Sequence, residues 1–394
     1  MSDRKSKILI VHNYYQIPVG EDTVVANEKK LLESHGHEVV LYTRHNSELK
    51  SLSKVQKLLL PVSTIFNYQI YKEVKKLILA EKINIMHVHN TLNIISPSVY
   101  YAAFSCRIPV VQTIHNFRLL CPGATFFRDG EICEECLKKG LLCAVKHKCY
   151  RGSRIQTLAC VLSSWIHRAI GTYRKLNYIC LTEFNKEKIL NLKQIQESKV
   201  FIKPNFVTNN IEKTLDSGNR KNQMIYVGRL EEIKGVDILL EAWRMLGKDA
   251  PQLIMCGTGP MMEWCREYVE KWSLANVTIA GFVENEKVRQ MIAESQALIL
   301  PTQVYEGFPM TILEAMSVGT PVIGSHLGNV GTLVKENVNG ICFDSKSAED
   351  LACAVRRLNV SYDSVLACYE ELYSSEANYN TLTGISESVT ACSE

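Results

Sequence analysis

Short apolar runs alternate with longer amphipathic stretches along most of this chain. The first run, Lys7-Ile-Leu-Ile-Val-His12, has the unbroken apolar character of a buried parallel strand, and a polar turn with Pro18 and Gly20 follows it. Residues 21–35 then place Val24, Val25, Leu31 and Leu32 on one helical side, with acids in the first turn and Gly36 as the stop. A strand at 38–42 completes a β-α-β unit, and further strands are expected at 83–88, 108–114 and 178–181. A second series is expected at 224–227, 253–256, 277–279, 297–300 and 321–323. Strands separated by helices imply parallel, doubly wound sheets. The pattern therefore predicts an α/β chain of two Rossmann-like domains, 1–203 and 204–375, with a tail or helix at 376–394 and the polar stretch 209–222 near the junction. Ligands of such sheets bind beyond the carboxyl ends of the strands, here in a cleft that the two domains are expected to face.

Composition narrows the class. With 394 residues, 46% hydrophobic and 22% charged, the chain can bury a sizeable core. No run approaches the roughly 18 apolar residues of a membrane span, and the N-terminus leads into a strand without a signal peptide, so a cytoplasmic protein is expected. The net charge of +4 conceals a division: 30 Lys+Arg stand against 16 Asp+Glu up to Lys203, and 15 against 25 beyond it. The basic half implies either an anionic partner, a phosphate-bearing acceptor or a membrane surface, or lysines that only keep a domain soluble. Its basic residues are spread out, not in one block, and no nucleic-acid partner is expected.

The densest chemistry lies after the strand at 297–300, in the segment Pro301-Thr-Gln-Val-Tyr-Glu306-Gly307-Phe308-Pro309-Met310-Thr311-Ile-Leu-Glu314-Ala-Met-Ser-Val-Gly319-Thr-Pro321. Residues 309–318 read as a helix with Pro at its start and Gly just past its end. Its N-terminal amides and dipole would make a metal-free anion site, with carboxylates on either side for sugar and ribose hydroxyls. This segment resembles the retaining glycosyltransferases of family 4, whose signature is two glutamates separated by seven residues in a Gly-Phe-Pro context with an Ala-Met-x-x-Gly-x-Pro-Val tail. The resemblance implies the GT-B architecture and a nucleoside-diphosphate sugar donor, with Glu306 on the transferred sugar and Glu314 on the ribose. It assigns donor binding to Gly307, Phe308, Pro309, Met310 and Thr311 as well. In Val227-Gly228-Arg229-Leu230-Glu-Glu-Ile-Lys234-Gly235 it gives Arg229 and Lys234 the task of neutralising the leaving diphosphate, so that catalysis requires no cofactor. Gly257 and Gly259, in a glycine turn after a strand, and Val283 in the next loop match positions where backbone approaches the nucleotide. The turn lacks the third glycine of a dinucleotide fingerprint, which argues against a dehydrogenase.

In the first half, His115 ends a strand and matches the family's Thr-x-His element near the transferred sugar. Gly20 matches a glycine that lets backbone approach the donor. Transfer with retention, by front-face attack with the departing phosphate taking the acceptor proton, follows from family membership and not from spacing. The expected activity is transfer of a hexose to a glycan or a lipid-linked sugar in polysaccharide biosynthesis. A GT-B enzyme with a small soluble acceptor, or a fold-retaining, metal-dependent binding protein without activity, are the alternatives.

Two features stand outside this reading. An insertion at 117–152 carries Cys121, Cys133, Cys136, Cys143 and Cys149, five of the chain's 14 cysteines. Cys133, Cys136, Cys143 and Cys149 are a candidate structural zinc site, the alternatives being free reduced thiols or an adventitious disulfide. After it, the apolar run 155–166, flanked by arginines, is expected either to be a buried helix with basic caps or to lie in a membrane interface as a peripheral contact.

Overall fold

The computed structural model describes residues 6–16, 20–51, 53–92, 94–207 and 220–391. Pro18 and residues 209–219 of the expected junction lie outside them. The chain divides into two compact units, one made of Met1–Arg128, Cys133–Asn205 and Asn378–Glu394, the other of Asp129–Ile132 and Phe206–Ala377.

In the first unit the strands are β1 (Lys7–Tyr14), β2 (Glu38–His45), β3 (Ile85–Val88), β4 (Val110–Ile114), β7 (Asn177–Cys180) and β8 (Val200–Ile202); the short β5 (Phe127–Arg128) and β6 (Glu131–Ile132) belong to the insertion. The six long strands form one parallel sheet in the order β2-β1-β3-β4-β7-β8. Leu9, Ile10 and Val11 of β1 are fully buried, as a central parallel strand requires. The strand runs past its apolar residues through buried His12 and Asn13 to Tyr14. β8 is an element that three residues of sequence did not disclose. Helix Ser375–Ala391 lays Leu382, Ile385 and Val389 against Ile8, Ile10 and Val25, so that the chain's last helix completes the first unit's core.

The second unit holds β9 (Gln223–Val227), β10 (Gln252–Cys256), β11 (Val277–Gly281), β12 (Ala297–Leu300), β13 (Val322–Ser325) and β14 (Gly340–Phe343) in the parallel order β11-β10-β9-β12-β13-β14. Helices cover both faces. One layer packs Leu239, Leu240 and Trp243 of helix Val236–Leu246 on the sheet, and the other packs Ile312, Leu313, Val330 and Tyr369. Each such side chain contributes roughly 1.5–3 kcal/mol by leaving water. The series begins at β9 in the middle of the sheet and winds outward in both directions, so β9 and β12 flank a topological switch point, where the loops beyond adjacent strand ends part and a ligand can enter.

Helix Arg154–Ala169 corrects the expectation of a buried helix. Its covered face is Thr157, Ala159, Cys160, Val161, Ser163 and His167, which lets it lie close to helix Lys54–Ile65, with His167 Nε2 2.9 Å from the Ile65 carbonyl. The larger apolar residues Ile155, Leu158, Leu162, Trp165 and Ile166 are exposed instead. Among the described residues no helix is long and apolar enough to cross a membrane.

Candidate active site

At the switch point of the second unit, the loop after β12 delivers Glu306 and the loop after β9 delivers Lys234. Their side chains meet, with Lys234 Nζ donating to Glu306 Oε1 at 2.6 Å and Thr302 Oγ1 donating to the same oxygen at 2.8 Å. Asn329, fully buried, donates to the carbonyls of Glu306 and Gly307 at 2.6 Å each. The carboxylate is thus held at its head by two donors and at its backbone by a third residue. A lysine ammonium has three protons, so Lys234 retains two for a further anion. Arg229 is 70% exposed and lies 3.6 Å from Glu231, while the Tyr226 hydroxyl holds the Arg229 carbonyl at 2.7 Å. Sequence reading missed Thr302, Asn329 and Tyr226, because neutral hydrogen-bonding residues carry no motif of their own.

The helix following Glu306 is Met310–Met316, shorter than the expected 309–318, and Pro309 precedes it without a side-chain cap. Gly307, Phe308, Pro309, Met310 and Thr311 are all half-buried, and Phe308 and Met310 pack on the core. Glu314 lies inside this helix. Burial raises its carboxyl above the ordinary value, against the opposing charge of Arg289 at 3.8 Å.

The glycine turn has a reason of its own. Gly257 adopts φ +143°, and a Cβ there would stand 1.8 Å from the Gly228 carbonyl oxygen; one at Gly259 would stand 2.2 Å from that of Leu230. The turn after β10 therefore lies backbone on backbone against the Gly228–Leu230 loop, joined by Gly228 N–H to Cys256 O and Leu230 N–H to Thr258 O, both at 3.0 Å. Its glycines position the loop that carries Arg229. Val283, in the loop after β11, is half-buried against the core.

In the first unit, His115 follows β4 and its Nε2 stands 2.9 Å from His89 Nδ1, beyond the end of β3. His89 Nε2 lies 3.4 Å from Glu28, which also has His87 Nδ1 at 2.6 Å and Lys203 Nζ at 3.2 Å; Lys203 in turn donates to Asn378 at 3.0 Å. Burial lowers the His89 imidazole to about 4, and burial with the neighbouring His89 takes His115 well below its ordinary value. Burial alone would raise Glu28, but its neighbours His87, Lys203 and His89 outweigh burial and hold the carboxyl well below its ordinary value. Glu28, His87 and His89 converge within 4.8 Å, as metal ligands would. The Lys203 ammonium already supplies their cation. His115, Asn116 and Arg118 also line an open cavity with His89, Gln112 and Ser163. Gly20 begins helix Gly20–Ser34 and is exposed. Sequence reading placed His87 in the strand 83–88 and passed over His89 just beyond it, although their i, i+2 spacing puts both on one face.

In the insertion, Cys136 is a hydrogen-bonding neighbour of Cys121, with Cys149 and Cys143 close by; none of the five cysteines is in a disulfide. Cys121, absent from the expected ligand set, is thus brought into the cluster.

The chain is similar to known proteins. Residues 20–209 fit the Glycosyltransferase Family 4 profile, and residues 207–370 fit that of the Glycosyl transferases group 1. Both halves are glycosyltransferase domains. An uncharacterized glycosyltransferase of Methanocaldococcus jannaschii is 22% identical over 294 residues, which span 71% of this chain and 66% of that relative. The chain also superposes on two solved GT-B structures. A lipopolysaccharide outer core galactosyltransferase has a TM-score of 0.67 at 17% identity, with 97% of this chain and 99% of the other covered. Anabaena HepE, solved with UDP and glucose, has a TM-score of 0.64 at 16% identity, covering 97% and 100%. At this identity the likeness establishes the fold, two parallel-sheet Rossmann-like domains of GT-B type.

Proposed function

We propose that this glycosyltransferase moves a hexose from a nucleoside-diphosphate sugar to a glycan or lipid-linked sugar acceptor with retention of configuration. The observation that carries the reading is Glu306, anchored by Lys234, Thr302 and Asn329 beside a sheet's switch point. Glu306 would orient the sugar hydroxyls, and Lys234 with Arg229 would take up the charge of the departing diphosphate without a metal. Glu314 would hold the ribose. In the reaction the C1–O bond to the diphosphate breaks, a C1–O bond to the acceptor forms on the same face, and the acceptor proton passes to the departing phosphate. His115, held neutral, would bond the transferred sugar and adds no charge of its own. HepE, solved with UDP and glucose, supports the class of donor.

A lipid-linked acceptor is favoured over a small soluble one by the exposed row Ile155, Leu158, Leu162, Trp165 and Ile166. It lies on the helix whose Ser163 reaches the cavity of His115, and such a row with flanking arginines suits a membrane interface. Thermal shift with a panel of nucleoside diphosphates, then transfer assays with the matching sugars, tests the donor reading. Saturable stabilisation by one nucleotide and sugar transfer from it are expected; no stabilisation by any of them would refute the reading. Flotation with anionic vesicles tests the membrane contact, which fails if Trp165→Glu floats as well as the parent.

A further inference from the structure

The insertion buries Phe117, Leu120, Phe126 and Leu141, but it has little regular structure of its own. Helices Glu135–Lys139 and Leu142–Lys146 have five residues each and no side-chain caps, far short of the length at which helices persist unaided. Phe126, an aromatic residue, takes φ 50°, and Ala124, Asp129 and Lys148 are also left-handed. Strain of this kind persists only where surrounding structure imposes it.

The thiols are what the segment has in abundance. Cys121 sits at a tight turn in which the N–H groups of Phe126, Gly123 and Ala124 face its sulfur. A cradle of that kind suits a thiolate better than a neutral thiol. Gly123 stands between two of the cysteines, since a Cβ there would lie 3.7 Å from Cys121 Sγ and 3.6 Å from Cys149 Cβ. Cys133 is tied to the same turn, its N–H donating to the Phe126 carbonyl at 2.6 Å, and Cys136 follows three residues later in contact with Cys121. Cys149 thus stands beside Cys121 across Gly123, whereas Cys143 belongs to helix Leu142–Lys146.

We infer that Cys121, Cys133, Cys136 and Cys149 form a closed, tetrahedral zinc site, with Cys143 outside it. Two ligands come as a Cys-x-x-Cys pair, and the turn at Cys121 and the end of the insertion at Cys149 supply the others. No three of these sulfurs are within 4.8 Å of one another, so side-chain rotation on metal binding would draw them together. Thiolates then exchange mutual repulsion for bonds to a dication, and the binding free energy becomes folding free energy for a segment with little regular structure. A structural role leaves the proposed chemistry at Glu306 metal-free.

Untagged protein purified under reducing conditions should contain about one zinc per chain. Cobalt(II) exchanged into that site should show the charge-transfer and tetrahedral ligand-field bands of four thiolates. Cys143→Ser should retain both signals, and Cys133→Ser and Cys149→Ser should lose them. Should those variants fail to fold, a mercurial titration of the intact parent gives the answer, with four thiols blocked for each zinc released. Absence of stoichiometric zinc together with absence of the cobalt bands overturns the site, and loss of metal in a folded Cys143→Ser protein overturns the ligand set. Zinc content is read without any assay of transfer, so failure here is distinguishable from failure of the proposed function.

Discussion

His89 Nδ1 and His115 Nε2 are 2.9 Å apart, so each ring fixes the tautomer of the other, and a proton added to either would sit against its neighbour. Burial, with the neighbouring His87, keeps the folded protein from protonating His89 down to about pH 4, whereas the unfolded chain takes up that proton near 6.5. A depressed histidine value means that the unfolded state binds more protons, so stability present above pH 6.5 is lost as the pH falls toward 4, by roughly 3 kcal/mol. Glu21 has the opposite sign. Burial raises it to about 8, so its contribution is complete below 4.5 and disappears as the pH rises through 8. Because Glu21 contributes equally to both proteins, the change in urea midpoint between pH 7.5 and 5 should be more destabilising for the parent than for His89→Gln. Equal losses in the two proteins would refute the neutral pair.

Glu306→Ala and Lys234→Ala should each lower kcat by roughly 10²–10³-fold or more while the protein stays folded, because in the proposed reaction both would act where charge or hydroxyl contacts develop. The comparison uses kcat and KM with far-UV circular dichroism as the folding control. Near-parent turnover by folded Lys234→Ala would remove it from the chemistry.

Brief exposure to a chelator should leave transfer largely intact. In the proposed reaction Lys234 and Arg229 would take the place that magnesium holds in many enzymes of phosphate chemistry, and a closed zinc site would release its metal slowly. Initial rates before and after treatment decide the point, and a strict requirement for added magnesium or manganese would contradict it.

Gly257→Ala should destabilise the protein by about 2–4 kcal/mol and weaken nucleotide binding together. Its Cβ would meet the Gly228 carbonyl 1.8 Å away at a φ that L residues avoid, and relief would push the Arg229 loop. Thermal unfolding and nucleotide titration on one preparation test both effects. An unchanged melting temperature would show that the two loops are not rigidly stacked.

Lys203→Met should cost about 3–5 kcal/mol, since it leaves the Glu28 carboxylate buried with histidines that must charge to balance it. Adding Glu28→Gln should recover a large part of that loss. No recovery in chemical denaturation of the double variant would mean that packing, not charge, sets the role of Lys203.

Period and punctuation were enough to read the two series of parallel strands, because a strand buried on both faces must be apolar in its own short run. Glu306 and Glu314 could likewise be found in the chain alone, since both stand in one contiguous segment with its glycine and prolines. What stayed hidden are relations between distant positions. Lys234 and Glu306 are 72 residues apart, and Lys203 and Asn378 are 175 apart; they meet only because strand order and helix packing bring them together. Helix Arg154–Ala169 shows the same limit in another form. Its periodicity announces two stripes, one of small and polar residues and one of large apolar ones, but which is covered depends on how closely the neighbouring helix can approach. Contact with helix Lys54–Ile65 selected the small face and left Trp165 in the open.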